Sequence, residues 1–106
     1  NRHNARIARR VASLHAAITL IPNDAPLSVS NLAADRVPMR RYIYFFPGDQ
    51  YYDPALINRA EYVLGDRAQG NGTEATLLDQ LAANGQWEEI GRPGDFEVLH
   101  RVAAAP

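Results

Sequence analysis

Apolar residues recur at helical spacing at the start of the chain. Ile7, Val11, Leu14, Ile18 and Ile21 fall three or four residues apart, while Arg2, Arg6, Arg9 and Arg10 crowd the same segment. The spacing predicts a helix over about residues 4 to 20, ended by Pro22. Beyond it the period changes. "IPNDAP" is a turn cluster and "LSVS" (27–30) reads as a short strand. Asn31 is placed to cap a short helix, "NLAADRV", which Pro38 closes. "RYIYFF" is rich in β-formers and runs into the turn "PGD". A helical turn is predicted over "PALINRA", with Pro54 at its first position. A third strand, "EYVLGD", and a Gly-rich loop, "RAQGNG", follow. Thr73 reads as the cap of a helix carrying Leu77, Leu78 and Leu81, and Gly85 as its left-handed terminator. "WEEIG", the turn "RPGD" and "FEVLHRV" read as a β-hairpin, with residues 103–106 as a frayed tail.

Strands separated by helical segments require crossover connections, and these favour a parallel sheet covered by helices. The predicted fold class is therefore α/β: a small Rossmann-like sandwich with a mostly parallel sheet of about five strands. The first strand would lie between the second and the third, and a C-terminal antiparallel β-hairpin would lie beyond the third. At 106 residues and 46% hydrophobic, residues 1–106 read as a single soluble domain.

Charge narrows the choice of partners. The formal net charge of −1 supplies no global attraction to nucleic acid or to an acidic membrane, and no nucleic-acid partner is expected. All eleven basic residues are Arg, which reads as the coding bias of a GC-rich, actinobacterial-type genome. With no cysteine, disulfides, thiolate nucleophiles and Cys-type zinc sites are excluded. No apolar run approaches the ~20 residues needed to span a bilayer. The chain opens at Asn1 with "NRHNARIARR", which reads as a piece of a longer protein. The arginines there have two readings: a patch against phospholipid headgroups, or a solvated helix face.

Little in the chain looks catalytic. No Gly-rich turn follows "LSVS", and the glycines of "GDRAQGNGT" fit neither a dinucleotide nor a P-loop pattern. His3, His15 and His100 are scattered, without a second ligand at metal-binding spacing. His100 is expected to face solvent. Ser28 and Ser30 lack a nucleophile elbow, and the adjacent Glu88 and Glu89 would point to opposite faces of a strand. Accordingly no catalytic residue, no metal and no cofactor is predicted. The stretch "MRRYIYFFPGDQYY" holds six of the nine aromatic residues. A strand buried on both faces accounts for Tyr42 to Phe46, whereas Tyr51 and Tyr52 fall on a loop. In open α/β sheets ligands bind outside the carboxyl ends of parallel strands. That rule makes Ser30, Asn31, Asp49 and Asp66 candidate crevice residues, beside Gly48 and Gly65. Arg36 and Arg40 would supply cationic contacts, and Tyr51 and Tyr52 would stand at the rim. The competing reading makes Asp49 and Asp66 turn formers and Asn31 a helix cap.

Several of these segments share a pattern. Ile21-Pro22, Asp24-Ala25, Val29, Asn31, Arg40, Tyr44, Phe46-Pro47, Tyr62-Val63 and Leu99 to Arg101 resemble the C-terminal soluble region of a large family of predicted bacterial multi-pass membrane proteins of unknown function. That family is related to membrane-embedded lipid-linked-sugar glycosyltransferases. The match covers about half of the chain, and Asp35 and Arg36 stand where the family often has a Pro-His pair. The resemblance implies a cell-membrane location, with this domain on the extracytoplasmic side and the membrane part of the same polypeptide as its partner. It also implies that the sugar-transfer acid lies in the membrane part. The leading expectation is a non-catalytic domain that binds or orients a glycan or lipid-linked acceptor, or gates access to the active site of the membrane part. Two alternatives stand beside it: a small nucleotide- or sugar-phosphate-binding module or enzyme using the crevice, and a protein–protein interaction domain using Tyr51 and Tyr52.

Overall fold

The structure, a computed structural model, describes residues 2–29, 43–45 and 60–103. The short helix expected after Asn31, the turn at 47–49 and the helical turn of "PALINRA", all but Ala60 at its end, lie outside these residues. Helix α1 is Arg2–Ile18. It closes before Pro22 because the amides of Leu20 and Ile21 turn to carbonyls three residues back, at Ala17 and Ile18. Strands β1 (Leu27–Val29), β2 (Ile43–Phe45) and β3 (Tyr62–Asp66) follow, then a 3-10 turn at Gln69–Gly72. Helix α2 (Thr73–Ala83) leads into β4 (Trp87–Gly91) and β5 (Phe96–Arg101).

The expected cap at Thr73 is displaced by one residue. Gly72 takes the N-cap position at φ 89°, without a side-chain cap bond, and Thr76 Oγ1 donates to its carbonyl at 3.2 Å. At the other end Gly85 adopts φ 83°, the left-handed conformation that ends a helix cheaply only in glycine.

Side chains alternate across the sheet and meet one helix on each face. Leu27 and Val29 of β1, Leu64 of β3, and Phe96 and Val98 of β5 pack under Leu14, Ala17 and Ile21. On the opposite face Val63 of β3, Leu99 of β5 and Trp87 of β4 pack with Ala60 under Leu78 of α2. Each large apolar side chain buried in this way stabilises the fold by about 1.5–3 kcal/mol.

The strand order is β2-β1-β3-β5-β4. The first strand does lie between the second and third, but the expectation of a mostly parallel, Rossmann-like sandwich is overturned. β1 is parallel to both β2 and β3, in registers of three residues each, whereas β3–β5 and β5–β4 are antiparallel. The sheet is mixed, and its longest register is the antiparallel one of five residue pairs between β3 and β5. The physical reason lies in β5. Phe96, Glu97, Val98 and Leu99 are all buried, so the C-terminal hairpin drives its second strand into the heart of the sheet. Only β4 remains at that edge, guarded by exposed Glu88 and Glu89 and by a bulge between Glu89 and Gly91.

Gly65 carries this packing. A Cβ there would stand 2.7 Å from both terminal carbons of Leu78, which is itself fully buried. Gly65→Ala should therefore overpack the α2 face and lower stability by about 1–3 kcal/mol, measured by urea unfolding.

Candidate functional site

At the carboxyl end of β3, Asp66 is 1% exposed. Its position on the α1 face of the strand turns the carboxylate towards α1. Arg10 meets it there, with Nη2 2.7 Å from Oδ2. Asp66 Oδ1 also accepts the amide of Ala68 at 3.0 Å, and its own amide donates to the buried carboxylate of Glu74 on α2. Arg10 reaches on to Asp95 at 3.3 Å and lies 4.9 Å from the centre of the Phe96 ring. The Asp66 carboxylate is thus committed to an ion pair and to a turn, which is its turn-former reading with a cation added. The remaining predicted crevice residues, Ser30, Asn31, Arg36, Arg40, Asp49, Tyr51 and Tyr52, lie outside the described residues.

A second charge network lies on the α2 face. Glu97, 1% exposed, accepts Arg67 Nη1 at 2.6 Å and lies 3.4 Å from Arg92 Nη2. Arg67 grips Asp79 with both terminal nitrogens, at 2.9 and 3.2 Å, and Arg92 pairs with Glu89 at 2.6 Å. The fork to Asp79, with Glu97 behind it, raises Arg67 above the ordinary arginine value against the opposing effect of burial. The same fork holds the Asp79 carboxyl below its ordinary range. At the far end of β5, burial lowers Arg101, which sits 4.3 Å over the Trp87 ring and donates to the Ala60 carbonyl at 3.0 Å.

Beside the Arg10 pair, a groove of about 270 Å³ opens between α1 and the β4–β5 turn. Among the described residues its walls include Arg6, Arg9, Arg10, Ser13, Asp95 and Phe96. Gly94 brings the turn close to the helix: its φ is 57°, and a Cβ would stand 2.7 Å from Ser13 Oγ. Arg6 and Arg9 have no ion pair with any described acid, whereas Arg10 has two. The arrangement can hold an anionic group against the Arg6 and Arg9 guanidinium groups and the Ser13 hydroxyl.

Other candidates fall to structural roles. Ser28 is buried within the sheet. His100, expected to face solvent, is half-buried and stacks on Tyr62 at 4.6 Å. Among the described residues no group of three or more His, Asp or Glu is placed to hold a metal ion, and no helix is long and apolar enough to cross a membrane. The Arg10–Asp66 pairing, 56 residues apart in sequence, was not anticipated. One signal for it is present: Arg10 stands four residues before Leu14 and seven before Ala17, on the stripe that α1 buries.

No family model, curated protein or solved structure matches the chain. Of the residues that carry the family resemblance, Ile21, Ala25, Val29, Val63 and Leu99 are all buried. Of the other described ones, Pro22 and Asp24 are exposed, and Tyr62, His100 and Arg101 are half-buried.

Proposed function

We propose that this chain is a non-catalytic extracytoplasmic domain of a bacterial multi-pass membrane protein related to lipid-linked-sugar glycosyltransferases, and that it binds or orients an anionic glycan or lipid-linked acceptor. One observation carries the ligand: among the described residues Arg6 and Arg9 have no acidic partner, at a groove whose third arginine, Arg10, is already neutralised. The Arg6 and Arg9 guanidinium groups, on the same groove wall as the Ser13 hydroxyl, suit a phosphoryl or carboxylate group, which each can clamp with paired N–H donors. The family-like pattern from Ile21 to Arg101 supports the membrane context. In that context the domain positions the acceptor while the membrane part performs transfer.

The reading is tested in the parent membrane protein. Removing the segment that corresponds to this chain should strongly reduce sugar transfer while leaving the membrane part folded and inserted. Transfer that continues unchanged would count against the proposal.

A further inference from the structure

We infer that the N-terminal half of α1 is a docking surface for an anionic lipid bilayer. The inference stands on the helix alone and goes beyond the acceptor reading. All residues from Arg2 to Arg9 are exposed, although α1 buries Leu14 and Ala17 further along. Ile7, 48% exposed, continues the apolar stripe of Val11, Leu14 and Ile18 out past the part that the sheet covers. Such a residue, stranded on the free half of an amphipathic helix, has an apolar face and no described core to put it in.

Charge points to the same partner. The helix carries Arg2, Arg6, Arg9 and Arg10 and not one acidic residue. The whole chain is at −1, so everything outside α1 is net acidic. This separation turns one end of the molecule towards a negative surface and the rest away from it. Arg2, Arg6 and Arg9 have no described acidic partner, so their guanidinium groups are available to lipid phosphates. Ile7 adds a shallow apolar contact within the headgroup layer. The row of arginines runs along two helical turns, so it can meet several lipid phosphates at once. Arg10, held by Asp66, anchors the helix to the sheet instead of joining the row.

The test is co-sedimentation of the 106-residue chain with sugar-free vesicles. Binding to phosphatidylcholine vesicles that contain phosphatidylglycerol should exceed binding to pure phosphatidylcholine by about tenfold or more, and should fall as salt is raised. The R6E/R9E double variant should lose that preference while keeping its thermal unfolding midpoint. Ile7→Asp should weaken vesicle binding several-fold. Because Ile7 is not among the described groove walls, Ile7→Asp should leave binding of a soluble sugar phosphate unchanged, so the two readings fail separately. Equal partitioning onto both vesicle types, or unaltered binding by R6E/R9E, would overturn the inference. Saturable binding of pyrophosphate without any vesicle binding would also overturn it, assigning the arginines to a soluble anion.

Discussion

Replacing Arg67 with Ala should lower folding stability by about 3–5 kcal/mol, a large share of the ~5–15 kcal/mol that holds a small domain together. The cost comes mainly from what is left behind. Glu97 is buried at 1% exposure on the α2 face, and Arg67 is its near partner at 2.6 Å. Among the described residues the carboxylate then keeps only the more distant Arg92 at 3.4 Å, inside a sheet where water does not replace the lost bonds. Urea unfolding measures the loss. A second variant separates stranded charge from lost packing: replacing Arg67 and Glu97 together by Met should recover much of the stability, because no buried charge remains. A double variant no better than the single one would locate the cost elsewhere. The same network sets an acid limit. Arg67 holds the Asp79 carboxyl below its ordinary value, so the stabilisation is complete above that value and is lost as pH falls through the lowered one. Asp79→Asn should therefore be less stable than the parent near neutrality and converge with it in strong acid.

Arg10→Ala is expected to cost about 3 kcal/mol, near the lower end of the range for a broken buried pair. The Asp66 carboxylate would be left almost fully buried, with its remaining described bond coming from the Ala68 amide. Arg10 is itself 37% exposed, so water entering by its side offsets part of the loss. The contact with the Phe96 ring goes as well. Arg6→Ala and Arg9→Ala should each change stability by no more than about 0.5 kcal/mol. Residues of identical chemistry within one helix are thereby sorted into a structural arginine and two that are free to bind. A thermal or urea melt of the three single variants decides the matter; equal losses would remove the distinction.

The sequence made much of this molecule legible, and the reasons differ from element to element. α1 was readable because Ile7 to Ile21 keep a helical period over four turns, and α2 because Leu77, Leu78 and Leu81 sit before a terminating glycine. The crossover from β1 to β3 implied parallel neighbours, and these are found. The balance of the sheet was not readable. "FEVLHRV" alternates like a strand with one wet face, yet Glu97 is buried, because Arg67 and Arg92 converge on it from the β3–α2 connection and the β4–β5 turn. A buried carboxylate whose cation lies 30 residues away has no local signature. For the same reason the sequence left Asp66 with two readings, a crevice acid and a turn former, and no sign of its cation. Its spacing at the end of β3 was read correctly, but its occupancy by Arg10 depends on how α1 crosses the sheet. The reach of α1 beyond the sheet was equally hidden, since Ile7 and Leu14 look alike in the periodic pattern and differ only in what covers them.

On the proposed reading, Arg6 and Arg9, beside the Arg10–Asp66 pair, hold an anionic acceptor. Titration of the 106-residue chain with a short-chain polyprenyl-phosphate sugar, followed by backbone amide chemical shifts, tests it most directly. Saturable shifts are expected, concentrated at Arg6, Arg9, Ser13, Gly94 and Phe96, with at least about a tenfold weaker response in the R6A/R9A variant, as expected for two lost charge-assisted contacts. Shifts that never saturate, that appear equally with the uncharged sugar, or that persist unchanged in R6A/R9A would contradict it.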